Sequence, residues 1–166
     1  MAPEILEGAV NLRECESSLK QIDVYALGLV LWEISHRCFD LYLSREAPPY
    51  RLAFEDETGP HPSLEQMKTL VCRHKARPLL PHLWRDKCAS VRLLKDTLED
   101  AWDQDAEARL TSLCIEERWT DLPVIWERER HKGLSPNMRA NVTHEGGGAQ
   151  LNPKTPGNLI NRIRIN

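Results

Sequence analysis

The side chains that could do chemistry in this 166-residue sequence are scattered. Two short runs pair cysteine with histidine, His36-Arg37-Cys38 and Cys72-Arg73-His74. A structural zinc ion is four-coordinate and draws its ligands from tighter pairs than these, so no metal site is read here. His61 stands between Pro60 and Pro62, a setting that suits a loop histidine better than a general base. Five cysteines (Cys15, Cys38, Cys72, Cys88, Cys114) are odd in number, widely spaced and without a C-x-x-C pair. They argue against a disulfide framework and for a reducing compartment. Asn141-Val142-Thr143 fits the glycosylation acceptor pattern, which is short enough to arise by chance. No catalytic constellation forms from these residues. Asp23 raises a sharper question, because it sits near the start of an almost uniformly apolar run. A carboxylate there must be paired or hydrogen-bonded, as an N-terminal cap and dipole partner or through some other partner.

That run, Ile22 to Ile34, is too long for an ordinary strand and suits a helix buried on all sides. Phe39 to Pro62 is irregular, punctuated by Pro48, Pro49, Gly59, Pro60 and Pro62. Ser63-Leu64-Glu65-Gln66 fits a capping box, and Leu64, Met67, Leu70 and Val71 continue a helix to about His74, with Arg77-Pro78 to end it. Leu93, Leu94, Thr97, Leu98, Ala101 and Trp102 mark an amphipathic helix over about Ser90–Trp102. A last helix starts with Thr111 as cap, and Pro123 should end or kink it. No strand pattern and no internal repeat appear. The fold class is mainly α.

Net charge is −3, with 41% of residues hydrophobic and 28% charged, ordinary values for about one globular domain. The average conceals an asymmetry. Residues 131–166 carry 5 Lys+Arg against 1 acid, 5 of the 8 Gly, and none of the aromatics. Such a segment cannot bury enough apolar area to offset its ordering entropy. We therefore expect a domain over 1–130 and a disordered, mildly basic tail over 131–166, too dilute in charge to argue for nucleic acid. The longest apolar stretch, Val24 to Trp32, falls well short of the roughly 20 residues of a membrane span, so no membrane span is expected in this segment. Glu4 and Glu7 stand where a signal peptide would need cationic and then apolar residues.

Four segments, in order, resemble the later part of a protein kinase C-lobe: Ala2-Pro3-Glu4, Asp23-Val24-Tyr25-Ala26-Leu27-Gly28, Ala76-Arg77-Pro78, and Trp102-Asp103-Gln104-Asp105 followed by Ala106-Glu107-Ala108-Arg109. Each is weak alone, and together they cover about residues 1–126. The runs Met1–Gly8, Ile22–Glu33 and Trp102–Thr111 resemble type II receptor serine/threonine kinases of the transforming growth factor β superfamily. Asn11-Leu12-Arg13-Glu14-Cys15-Glu16 and Ile125-Trp126-Glu127-Arg128 lean toward the bone morphogenetic protein type II branch over the activin branch.

The resemblance implies the C-terminal half of a kinase C-lobe and four structural residues: Glu4, Asp23, Trp102 and Arg109. Glu4 should form a buried ion pair with Arg109, fastening the activation segment to the end of the lobe. Asp23 should accept hydrogen bonds from the backbone of a catalytic loop, and Trp102 opens the element that carries Arg109. Kinase chemistry itself needs a Gly-rich loop, a strand lysine with its helix glutamate, and the catalytic and metal-binding carboxylates. In kinases these all precede Ala-Pro-Glu, so truncation at Met1 rather than decay accounts for their absence, and we expect no catalytic, cofactor-binding or metal-binding residue in this segment. The parent family implies ATP with Mg or Mn, a type I receptor serine/threonine kinase as partner and substrate, an extracellular ligand, and the cytoplasmic side of the plasma membrane. Two other readings stand beside this one: a non-catalytic, pseudokinase-like interaction module, and an unrelated helical binding module.

Overall fold

The structure, a computed structural model, describes residues 1–131 other than 43, 45, 83, 85 and 86. The expected tail beyond His131, with Asn141, lies outside the described residues. Among the described residues six α-helices follow in order: α1 Pro3–Glu7, α2 Cys15–His36, α3 Glu55–Thr58, α4 Leu64–Lys68, α5 Ala89–Ala101 and α6 Ser112–His131. Among the described residues no strand forms; one isolated antiparallel bridge joins Tyr42 to Trp84. The mainly helical fold is consistent with the C-terminal half of a kinase C-lobe.

Helix α2 is longer and less buried than its apolar run predicts. It begins at Cys15 rather than Ile22, with Lys20 paired to Glu16 one turn back at 2.6 Å. Its buried residues, Ser18, Val24, Tyr25, Gly28, Leu31, Trp32 and Ser35, follow the helical repeat along one side. On the other side Leu19 and Val30 are half exposed, and Asp23 and Ala26 are exposed with them. Asp23 therefore sits well inside the helix, too far from its first turn to cap it. The cap reading is overturned. Uniform apolarity carries no phase, so the sequence could not show which face would pack.

The Ser63 capping box forms in both directions: the Gln66 N–H donates to Ser63 Oγ at 3.2 Å, and the Ser63 N–H to Gln66 Oε1 at 2.8 Å. Helix α4 then widens into a π-turn over Thr69–Arg73, where Val71 is fully buried. Helix α5 crosses α2 where Gly28 meets Ala101; a Cβ built on Gly28 would lie 3.1 Å from that of Ala101. This contact is the reason glycine occupies the middle of a long helix despite its low propensity.

Thr111 caps α6, its Oγ1 accepting the Cys114 N–H at 3.2 Å. The helix runs through Pro123 to His131 instead of ending there. Proline leaves the Trp119 carbonyl without its helical donor, so something beyond Pro123 must hold the last turns. Glu129 does so. Its carboxylate accepts the backbone N–H of Ala89 at 2.5 Å, and the N–H and Oγ of Ser90 at 3.3 and 2.9 Å. The end of α6 thereby caps the start of α5, and the two helices run antiparallel.

Burial pushes the Glu129 carboxyl up, but these hydrogen bonds outweigh it and leave its pKa below the usual value. A carboxylate with a depressed folded-state pKa stabilises above the unfolded-state value, and that stability is lost as pH falls through the folded-state value. Glu129→Gln should therefore cost about 1–2 kcal/mol at neutral pH, the usual worth of a good cap, and progressively less as the medium is acidified below the carboxylate range. Denaturant titrations of both chains at pH 7 and pH 3 measure this; an unchanged gap at the two values would refute it.

Candidate functional site

Helix α1 presents Glu4. Pro3 occupies the first helical position, where its missing N–H costs nothing. Gly8 ends the helix in the left-handed region at φ 69°, donating to Ile5 O at 3.2 Å, while the Ala9 N–H reaches Glu4 O at 2.8 Å. Leu6 is buried, and the Cys72 thiol approaches Pro3 O at 3.6 Å, so α1 rests on the π-turn after α4.

The loop after α5 presents Arg109. Asp103 Oδ1 accepts the Asp105 N–H at 2.8 Å, and Asp105 Oδ1 accepts the Glu107 N–H at 3.0 Å. These two side chains fold the loop back on itself and cap the 3₁₀ turn Ala106–Ala108. Arg109 follows in extended backbone, aimed back toward α1 and α2.

The structure brings Glu4 and Arg109 together across 105 positions. Arg109 Nη1 and Nη2 donate to Glu4 Oε1 and Oε2, each at 2.8 Å, the bidentate fork. Nη1 also donates to Gln21 O at 2.9 Å, and Nε to Asp103 O at 2.9 Å. The Arg109 side chain is 0% exposed and that of Glu4 16%. Burial opposes ionisation of Glu4, yet the Arg109 hydrogen bonds and charge prevail and lower its pKa. One guanidinium thus fastens α1, α2 and the loop after α5 at a single point.

Two further residues share the site, and neither was among the four structural residues that the resemblance implies. Tyr25 on α2 is 1% exposed, and both Arg109 and Arg77 lie over its ring, at 5.1 and 5.3 Å from the centroid. The ring's negative faces offset the cost of bringing two cations close. Arg77 in turn donates to Trp102 O at 2.6 Å, Ala76 O at 2.8 Å and Gln104 Oε1 at 2.8 Å. Trp102, 3% exposed, packs beside the α2–α5 crossing at Gly28. One signal for the pair was present: a tyrosine inside an apolar run, and an arginine just before a helix-ending proline. Only their meeting in space makes them a unit.

Asp23 is not part of this cluster. It lies on the exposed side of α2, in line with Leu19, Ala26 and Val30. Among the described residues no three His, Cys, Asp or Glu side chains come together as metal ligands. No described helix is long and apolar enough to cross a membrane. Glu4, Arg109, Tyr25, Arg77 and Trp102 are held together by hydrogen bonds, an ion pair and cation–π contacts. These contacts join segments distant in sequence.

No family model matches the chain. It is 48% identical over 120 residues to activin receptor type-2A of Xenopus laevis, a match covering 71% of the chain and 22% of that receptor. It is 46% identical over 124 residues to the Homo sapiens activin receptor type-2A, covering 74% and 23%. Anti-Muellerian hormone type-2 receptor of Rattus norvegicus is 42% identical over 118 residues, covering 71% and 21%. The chain is thus homologous to a segment of these type 2 receptors, and it spans about a fifth of the length of the curated relatives it matches.

Proposed function

We propose that this chain is the end of the kinase domain of a transforming growth factor β superfamily type II receptor, and that its own task is to anchor the activation segment. The observation that carries this is the buried bidentate Glu4–Arg109 pair, which holds the Ala-Pro-Glu helix against the far end of the lobe. Homology to activin and anti-Muellerian hormone type 2 receptors supports it. The whole protein then transfers the γ-phosphate of ATP, with Mg or Mn, to serine or threonine of a type I receptor on the cytoplasmic side of the plasma membrane, in response to an extracellular ligand. Asn11–Glu16 and Ile125–Arg128 support the bone morphogenetic protein branch within that superfamily.

In this reading Asp23, exposed on α2 and without a capping role, accepts hydrogen bonds from the backbone of a catalytic loop lying upstream in sequence. The 166 residues alone should show no one-site ATP–Mg²⁺ binding by calorimetry, because they include none of the phosphate-cradling or metal-binding elements of kinases. Upstream transcript sequence decides the parent activity. A catalytic loop with its Asp in frame before Met1 supports the kinase, whereas an in-frame stop there supports a non-catalytic interaction module. Saturable micromolar ATP binding by the chain itself would overturn both.

A further inference from the structure

The crossing of α2, α5 and α6 leaves a slot that the anchoring role does not use. Ile34, Leu41, Val91, Leu94, Trp119 and Trp126 line it, and its volume is about 50 Å³. Among the described residues, half-buried Asp40 is its one charged lining residue. Of the two serines present, Ser90 spends its hydroxyl on Glu129 at 2.9 Å. A cavity lined this way offers water few partners and favours an apolar guest. Its volume is about a third of that of the engineered cavity known to admit benzene. An aromatic ring is therefore too large, and a linear alkyl end fits.

We propose that this slot binds the end of a single aliphatic chain whose head group is neutral or cationic. The chain form follows from the volume and the apolar lining. The head-group preference follows from Asp40 in the lining, whose carboxylate repels a fatty acid's head group and attracts an ammonium. At a partly solvated distance of a few ångströms such a charge is worth about a tenfold difference in affinity. Each methylene taken into the slot should contribute about fourfold. Trp119 and Trp126 supply the readout.

The test titrates the 166-residue chain with decylammonium, decanol and decanoate below their micellar concentrations, following tryptophan emission and melting temperature. Decylammonium should give a saturable emission change and a raised melting temperature, binding about tenfold tighter than decanoate. Asp40→Asn should remove that discrimination while leaving decanol unchanged. Leu94→Phe fills the slot and should weaken all three about fifteenfold, as two lost methylenes would; Val91→Leu is the milder filling variant should the first not fold. Three results would each overturn the proposal. They are the absence of any saturable change, equal binding by both filled variants (adsorption at the surface), and decanoate binding as tightly as decylammonium.

Discussion

Arg109→Ala should lower the unfolding free energy by about 3–5 kcal/mol, the usual cost of removing one partner of a buried ion pair. The magnitude follows from what remains behind. Glu4, largely buried, loses both donors of its fork, and the carbonyls of Gln21 and Asp103 lose theirs. A solvated arginine would instead change stability by at most about 0.5 kcal/mol. Arg109→Lys should recover little, because an ammonium cannot reproduce the planar fork or lie over Tyr25 as a guanidinium does. The decisive measurement is a double-mutant cycle on Glu4→Ala and Arg109→Ala, with an expected coupling of about 1–3 kcal/mol. Coupling near zero would remove the anchor from the proposal. Under the proposed function, the same substitution in a whole receptor should lower signalling, since the proposed activation segment would lose its fastening.

Trp102→Ala should be comparably severe, at about 3–5 kcal/mol, the range for deleting a buried tryptophan. Trp102 is 3% exposed and lies beside Gly28, where α2 and α5 already approach too closely for the backbone to collapse into the vacated space. Its carbonyl also receives Arg77, so loosening this point disturbs the cation lying over Tyr25. Trp102→Phe keeps most of the apolar contact and should cost less than half as much. Denaturant midpoints at unchanged m-value provide the comparison. A Trp102→Ala cost below about 1 kcal/mol would mean that the site collapses freely, contrary to the packing at Gly28.

Much of the scaffold was legible in sequence because local rules are strong there. The Ser63–Gln66 box, the Thr111 cap and the helix near Ser90–Trp102 depend on neighbours within a turn or two, and the structure reproduces each. Glu4 and Arg109 could be linked only through the order of four motifs, since no local signal joins residues at opposite ends of the domain. What was missed is non-local. The phase of α2, and with it the exposure of Asp23, is set by what packs against the helix. The passage of α6 through Pro123 depends on Glu129 reaching another helix 39 and 40 positions away. Arg77 and Tyr25 each looked ordinary alone.

The chain separation of these fastenings also bears on the order in which they form. The α5–α6 hairpin is closed by a short connection and stapled by Glu129, so its loop-closure entropy is modest. The Glu4–Arg109 fork spans 105 positions, and contacts of such separation are rewarded only after the intervening chain has been ordered. We therefore expect the hairpin to form early and the fork late. A late-forming contact is weak in the folding transition state, so its strength governs how slowly the domain opens rather than how fast it assembles. The residues that anchor the proposed activation segment would then also set the lifetime of the folded lobe.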